Sequence, residues 1–429
     1  MLTGLVRTIC WIYGLVTGAG YSRSIEGNAG TMGLSEKLWW AHKFFLGAVE
    51  NAERGSGIED YFAAQDMRYS LPGDFVEECS ARIASAGDIL TSEHIRPETT
   101  AHLWDDVDEF LRAADIAIAN LETPVAPSRA VGAPPSSILS APPLNSSPET
   151  LRIVIGAGFG FFSTANNHAL DQGVVGVRET LDVLDEHDCG HVGTARTKAE
   201  RDDIPVLDVG GIRVAFLSYT FSVNGRDIPP GQDYLVNYLR LNLPDADLSM
   251  VRHHVDIAHH RNADAIVACV HWSLEFESFP VQTVIDNGHR LVELGIDVIL
   301  GNHPHVIQPM ERYRFTDPRT GFSKDSLIVY AHGDLMSYVG AVPNSMLGNI
   351  IRFTLAKGHH GGVPVTRIKD VSWKPIYRRA RFDRKGNCTD FRIHDLLAMS
   401  AHETANEASE RAEIGRLVNL AIRVLPSHP

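Results

Sequence analysis

Residues 298–311 have the sequence VILGNHPHVIQPME. An apolar run typical of a buried strand stops at Asn302, and two histidines follow with a proline between them. In an extended chain, residues two apart lie on the same side, so His303 and His305 are predicted to face one place, with Pro304 fixing the backbone. Paired neutral imidazoles are typical of a metal site. The alternative is a tight turn with two hydrogen-bonded imidazoles.

The composition is that of a soluble globular protein, and it argues against several functional classes. The 429 residues are 44% apolar and 21% charged, which suits one large domain or two ordinary ones. With 39 basic and 53 acidic residues the net charge is −14, which argues against a nucleic-acid partner. The five cysteines are scattered and contain no C-x-x-C pair, so neither a disulfide framework nor a thiolate zinc site is expected.

From about residue 80 onward, short apolar runs alternate with amphipathic stretches, which is the pattern of an α/β fold. The predicted strands are residues 81–86, 115–119, 159–165, 212–220, 265–270, 297–301 and 326–331. Helices are predicted at residues 173–187 and 281–295, where apolar side chains recur at helical spacing.

The chain is predicted to have three parts without a clear linker between them. Residues 1–79 form an N-terminal extension, largely helical because residues 33–78 carry apolar side chains at helical spacing. Residues 80–345 form the main domain. Residues 346–429 add strands and a closing helix over 402–424, packed on the same domain.

Two further segments lie outside the regular pattern. Residues 123–150 are rich in proline, serine and alanine, which predicts a long loop that covers substrate. Residues 1–20 resemble a weak export signal, and the other interpretation is that translation begins at Met32. Because no stretch is long enough to span a bilayer, the body is expected to be soluble, either cytoplasmic or exported.

Five of the predicted strands end in side chains that bind metals. These residues are Asp88; Asn120 and Glu122; Asn166, Asn167 and His168; His271; and Asn302, His303 and His305. In open α/β sheets, ligands gather at the carboxyl ends of the strands, so these tips are predicted to converge on one crevice. Carboxylates, a carboxamide and imidazoles suit one or two divalent ions such as Mn²⁺, Fe²⁺ or Zn²⁺. Two ions that share a carboxylate would activate water and hold both oxygens of a displacement.

Five motifs together resemble the CapA family of capsule or poly-γ-glutamate biosynthesis proteins, which is similar in turn to the calcineurin-like metallophosphoesterases. The motifs are GDIL at 87–90, NLETP at 120–124, TANNHALDQG at 164–173, HWSLEFE at 271–277 and GNHPHVIQP at 301–309. The resemblance implies a four-layer αββα sandwich with a metal centre at its edge.

The same resemblance implies a role for each site residue. It implies that Asp88 and His305 bind a first metal ion and that Glu122 bridges to a second. Asn167, His271 and His303 would bind the second ion, and His168, next to the ligand Asn167, would be the general acid.

This sequence departs from the family patterns in three places. The segment Asp88-Ile89-Leu90 lacks the imidazole of the phosphoesterase Asp-x-His, so the first metal is expected to be weakly held or absent. Ser273 and Phe276 replace a glycine and a tyrosine, and AHGDL at 331–335 replaces Ser-Leu-Gly-Asn-Phe. Further candidates for contact with the ligands or the substrate are Asn166, Asp171, Glu275, His332 and Asp334.

Three functional hypotheses follow. The first is a metal-dependent hydrolase or transferase in capsule or poly-γ-glutamate synthesis, acting on an anionic polymer or phosphoester beside other capsule-synthesis proteins. The second is a non-catalytic assembly factor that binds polymer or partner proteins, and the third is a metallophosphatase unrelated to capsule. The histidine pairs at 253–254 and 259–260 are interpreted as a solvated helix face, and IGAGFG at 155–160 does not complete a dinucleotide fingerprint.

Overall fold

The structure, a computed structural model, describes residues 2–90, 92, 94–132, 141–317, 320–337, 342–401 and 408–427. The helices are α1 (Leu2–Thr17), α2 (Leu34–Leu46), α3 (Ile58–Ala63), α4 (Asp108–Arg112), α5 (Pro148–Gly156), α6 (Gly173–Glu186), α7 (Lys198–Arg201), α8 (Ser249–His260), α9 (Gln282–Glu293), α10 (Leu396–Ala401) and α11 (Ala408–Val424). The strands are β1 (Val76–Ile89), β2 (Ile116–Leu121), β3 (Phe159–Ser163), β4 (Gly190–Val192), β5 (Val206–Val209), β6 (Ile212–Thr220), β7 (Ala265–His271), β8 (Val298–Asn302), β9 (Met310–Thr316), β10 (Ser323–Val329), β11 (Asp334–Met336), β12 (Leu347–His360), β13 (Val363–Phe382) and β14 (Cys388–Asp395).

The strands form two mixed sheets. The first has the order β14-β13-β12-β1-β2-β3-β4, with β11 beside the end of β1. In it β1 to β4 are parallel neighbours, whereas β12 to β14 are antiparallel. The second has the order β5-β6-β7-β8-β10-β9, in which β6, β7, β8 and β10 are parallel. Each sheet therefore has a parallel half whose strands all end at one edge.

The two sheets pack face to face, and helices cover their outer faces. Phe161 of the first sheet and Phe216 of the second meet between them, with ring centroids 4.4 Å apart. Successive strand residues point to opposite faces, so Phe162 points outward into the core that includes α5 and α6. On the other side, Tyr219 points outward to α8, where its hydroxyl lies 3.0 Å from His254 Nδ1. The predicted four-layer αββα sandwich is therefore confirmed.

All seven predicted strands are present, as β1, β2, β3, β6, β7, β8 and β10, although their ends differ from the predictions by a few residues. No individual strand was predicted at the position of β12, although residues 346–429 were expected to add strands. Most residues of β12 are buried on both faces of the sheet, so the period-two alternation that marks a half-exposed strand is lost.

The helical prediction for residues 33–78 is only partly right. It holds for α2 and α3, but Gly47 and Gly57 have positive φ (128° and 74°) and interrupt the helix, and β1 already begins at Val76. Residues 133–140 of the predicted loop and residues 402–407 of the predicted closing helix lie outside the described residues. The division of the chain into three parts stays a prediction.

The histidine pairs do not all lie on a solvated face. His254 is fully buried against Tyr219, and burial lowers its pKa to about 4. The interpretation was wrong at this position because α8 turns this residue toward the sheet.

In the described part of the chain, no helix combines the length and apolar character needed to cross a bilayer.

Candidate metal centre

Strand register brings the predicted tips together at one edge of the sandwich. In the first sheet Asp88 at the end of β1 stands in register with Asn120 of β2. In the second sheet His271 at the end of β7 stands in register with Asn302 of β8. Since the two strands of each pair are parallel, their ends lie side by side, and the side chains converge from two sheets on a single buried place.

The first cluster of donor atoms surrounds His271. Its Nε2 lies 3.0 Å from Asn167 Oδ1, 3.1 Å from His303 Nδ1 and 3.4 Å from Glu122 Oε1. Burial lowers the pKa of His271 to about 3, so the ring is neutral and carries one proton. That proton serves at most one of the three neighbouring groups, whereas a cation would satisfy all of them.

The second cluster surrounds His305. Its Nδ1 lies 2.8 Å from Asp334 Oδ1 and 3.7 Å from Asp88 Oδ2, and its Nε2 lies 3.8 Å from Glu122 Oε1. Burial lowers the pKa of His305, but Glu122, Asp334 and Asp88 outweigh that effect and hold the pKa well above its ordinary value. His305 thus stands among three carboxylates that all lie on, or directly after, strands of the first sheet.

Two overlapping triads in this place have the residue types and spacing of a metal site. Glu122, His303 and His305 each offer a ligand atom within 4.8 Å of the others, and so do Asp88, His305 and Asp334. Asp334 belongs to the second triad. The sequence analysis had named it among the further candidates and had not placed it in the main ligand set. All of these side chains are buried.

The backbone around the two histidines differs from the prediction. His303 and His305 have φ values of 101° and 57°, so the segment is a turn with two left-handed residues and not an extended chain. The imidazoles nevertheless converge, with ring centroids 5.9 Å apart. The backbone N–H of His303 donates to Asp88 Oδ2 at 3.1 Å, which ties the turn to the first sheet. Such strained conformations persist only where the surroundings enforce them.

Glu122 is the least satisfied group of the site. Its side chain is fully buried, and neither carboxylate oxygen accepts a hydrogen bond from the described residues. Burial raises its pKa to about 7, and burial together with Glu122 raises the pKa of Asp88 to about 7. Anionic oxygens without donors are costly in a protein interior unless a cation is present.

His168 is held by a carboxylate. Its Nδ1 lies 2.6 Å from Asp171 Oδ2, and Arg226 Nε donates to the other oxygen of Asp171 at 3.2 Å. Burial lowers the pKa of His168, but Asp171 outweighs this and the net pKa lies above the ordinary value. Asn166 supports the same turn: its amide donates to the Leu121 carbonyl at 2.9 Å, and its Oδ1 accepts from the His168 N–H at 3.1 Å.

The other two candidates differ in their contacts. Glu275 Oε1 lies 3.9 Å from His305 Nε2, and with 20% of its side chain exposed it faces solvent more than the other site carboxylates. His332 Nδ1 bonds the Gly301 carbonyl at 2.9 Å, and among the described residues no hydrogen bond or ion pair joins its ring to a predicted ligand.

Two supporting residues received no specific role from the sequence, although Asn120 was named as one of the polar side chains at strand ends. Asn120 donates to Asp88 Oδ1 at 2.7 Å and lies 3.3 Å from His271 Nδ1; its place in the same motif as Glu122 was an available signal. Arg378 is fully buried on β13, where it donates to the backbone carbonyl of Asp334 and lies 3.5 Å from its carboxylate. No sequence motif marks it, since it is distant in the chain.

A glycine allows the two sheet-edge carboxylates to approach. Asp88 and Asp334 are register partners on the parallel strands β1 and β11. A Cβ atom at Gly87 would lie 1.6 Å from the carbonyl oxygen of Gly333. Any other residue at position 87 would therefore push the two strands and their carboxylates apart.

Residues 82–339, more than half of the chain, match the model of the family described as "Bacterial capsule synthesis protein PGA_cap". The chain therefore belongs to this family. The matched residues include every predicted metal ligand, but they exclude α1 to α3 and the segment from β12 to the C-terminus.

Two curated relatives carry related names. The capsule biosynthesis protein CapA of Bacillus anthracis is 29% identical over 53% of this chain and 55% of its own length. The PGA biosynthesis protein CapA of Bacillus subtilis (strain 168) is 26% identical over 54% of this chain and 59% of its own. The aligned part thus spans a little over half the length of these relatives.

Among solved structures, the calcineurin-like phosphoesterase YfkN from Bacillus subtilis is similar at 11% identity and a TM-score of 0.33. That match covers 79% of this chain and 99% of the YfkN chain.

Proposed function

We propose that this chain is a metal-dependent hydrolase or transferase that acts on an anionic polymer or phosphoester in capsule or poly-γ-glutamate synthesis. Membership of the family and the names of its two relatives support the biological setting. The donor atoms at the sandwich edge support the chemistry.

The observation that carries the proposal is the state of Glu122. Among the described residues no hydrogen-bond donor reaches its two buried oxygens, yet nitrogens of His271 and His305 lie 3.4 and 3.8 Å from one of them. A carboxylate kept for structure would be given a donor or replaced by an apolar group, because an unpaired buried charge is destabilising. A divalent cation would satisfy the oxygens and the imidazole nitrogens together.

One ion would be held by Glu122, His303, His271 and Asn167. A second ion would be held by Asp88 and Asp334. His305 has one ring nitrogen toward each group. Oxygen and imidazole donors suit Mn²⁺, Fe²⁺ or Zn²⁺. When bound, such an ion supplies Lewis-acid polarisation of a substrate oxygen and lowers the pKa of water.

The protein's own residues would handle protons and orientation. We assign the general-acid role to His168, because Asp171 fixes its Nδ1 and raises its pKa above the ordinary value. Asn120 would orient Asp88, as partners of ligating side chains commonly do.

The test is the metal content of purified protein after exchange into Mn²⁺, followed by assays on phosphoesters and γ-glutamyl peptides with and without Mn²⁺. The expected result is one or two ions per chain and Mn²⁺-dependent turnover, both lost in His303→Gln. His254→Gln is the matched control, because it removes a buried imidazole outside the site. Equal metal content in both variants would contradict the proposed ligand set.

A second candidate is a non-catalytic assembly factor. It is favoured by Leu90, which stands where the phosphoesterase pattern has a histidine and leaves the Asp88 site one imidazole short. Protein that stays free of metal, and that shows no response to added Mn²⁺, would support this alternative.

A further inference from the structure

The loop that follows β7 forms a wall of the candidate site beside His305. The ring of Phe276 lies 5.8 Å from the His305 ring, centroid to centroid, and Glu275 Oε1 lies 3.9 Å from its Nε2. The backbone N–H of Phe276 donates to the Pro304 carbonyl at 2.8 Å, so this loop and the two-histidine turn are joined. Ser273 and Phe276 both have positive φ (68° and 60°), a conformation that needs external support.

Helix α2 supplies that support. The indole N–H of Trp40 donates to Glu275 Oε2. Lys43 Nζ lies 2.7 Å from Glu277 Oε1, and the indole N–H of Trp39 donates to the same oxygen at 3.1 Å. Three side chains on one helix therefore hold two carboxylates of the loop.

The segment after α2 adds backbone contacts to the same loop. The N–H of Val49 donates to the Phe276 carbonyl at 2.8 Å, and the N–H of Ser278 donates to the Val49 carbonyl at 2.9 Å. These two bonds form an isolated parallel bridge that fixes the loop from its far side.

The ion pair in this contact is unusual in its burial. The side chains of Lys43 and Glu277 are only 3% and 0% exposed. A buried ion pair is often no more stabilising than a well-packed apolar pair, and its best-attested use is to select one arrangement over others. This favours a role in setting the position of the loop.

We propose that α2 is part of the candidate site although it lies outside the family match at residues 82–339. Trp40 and Lys43 are positioning residues: they hold Glu275 and Phe276 against His305. Glu275 is thereby presented at the solvent side of the ligand cluster, where substrate would enter. The inference rests on the proposed metal site, but its first test does not need the metal.

The first test uses metal-free protein with ¹³C-labelled histidine. The His305 signal is assigned by its loss in His305→Gln. Trp40→Phe keeps an aromatic ring and removes the N–H donor, and it is expected to shift the His305 signal. Trp104→Phe is the matched control, because its indole N–H donates to the Ile153 carbonyl at 3.0 Å, away from the site. An unmoved His305 signal in Trp40→Phe would overturn the proposal.

The second test measures Mn²⁺ affinity by calorimetric titration. Single loss of Lys43 leaves a buried charge and risks unfolding, so the variant combines Lys43→Met with Glu277→Gln. We expect a 10- to 100-fold weaker affinity, as for other residues that orient metal ligands. Lys37→Met, elsewhere on α2, controls for the change of side chain and should bind as the wild type does. Wild-type affinity in the double variant would contradict the positioning role.

The two proposals fail separately. If the wild type binds no Mn²⁺, the proposed function is refuted, whereas a shifted His305 signal in Trp40→Phe would still support the role of α2. If the wild type binds Mn²⁺, but Trp40→Phe leaves the His305 signal unmoved and the double variant binds Mn²⁺ as tightly as the wild type, the metal site is supported and the role of α2 is refuted.

Discussion

Replacing Glu122 by glutamine should stabilise the metal-free protein. At pH 8 the wild-type carboxylate is ionised and buried, and the part of the chain that the structure describes offers it no hydrogen-bond donor, which is unfavourable. Burial raises its pKa from 4.5 to about 7 in the folded protein. At about 1.4 kcal/mol per pH unit, this rise corresponds to about 3 kcal/mol of lost stability above pH 7. The variant Glu122→Gln removes that cost and should gain up to this amount.

The direction of the pKa shift of Glu122 also predicts how the stability of the protein depends on pH. Between pH 4.5 and 7 the folded state binds more protons at Glu122 than the unfolded state, so the stability of the metal-free wild type falls as pH rises through this range. In Glu122→Gln this contribution is absent. Mn²⁺ at 1,000 times its dissociation constant should reverse the order of the two proteins, because it adds about 4.1 kcal/mol only to a protein that binds it, which exceeds the gain of the variant.

The assay is urea unfolding followed by circular dichroism at pH 5 and pH 8, with EDTA or with Mn²⁺. Glu311→Gln is the control, because this substitution is expected to lower the stability of the protein. Glu311 is also fully buried, but it accepts hydrogen bonds from Tyr61, His289 and Tyr330, so its substitution should cost about 2 kcal/mol. The reasoning is refuted if Glu122→Gln is less stable than the wild type at pH 8 in EDTA, or if both gain equally from Mn²⁺.

Three further outcomes are expected. His168→Gln should lower Mn²⁺-dependent turnover by about 10²- to 10⁴-fold while metal content stays unchanged, as measured by elemental analysis; loss of metal would make His168 a ligand instead. Arg378→Met should weaken Mn²⁺ binding about 10- to 100-fold in calorimetric titration, because Asp334 loses its buried partner, whereas Arg379→Met should not. The pKa of His254 falls from 6.5 to about 4 on folding, so its contribution to stability, about 3 kcal/mol, is lost as pH falls from 6.5 to 4; acid unfolding curves of His254→Gln should lack this component.

The fold class followed from the sequence alone, and the sequence also predicted most residues of the candidate site. The apolar runs that end near Asp88, Glu122 and His271 predicted buried strands directly, since a buried parallel strand is a continuous apolar segment, and polar residues mark its end. Strand order in the two sheets then makes those ends neighbours, so residues far apart in the chain meet without any local signal of contact.

Only the tertiary structure decided the details of that site. The left-handed turn at His303 and His305 depends on bonds to Asp88 and to the loop after β7, which no local propensity encodes. The helix pattern of residues 33–78 did not show that β1 begins at Val76 or that Trp40 reaches Glu275. The contacts of His303 with Asp88 and of Trp40 with Glu275 join segments more than two hundred residues apart. Their free energy comes from packing and burial in the folded chain, which a local pattern of residues does not record.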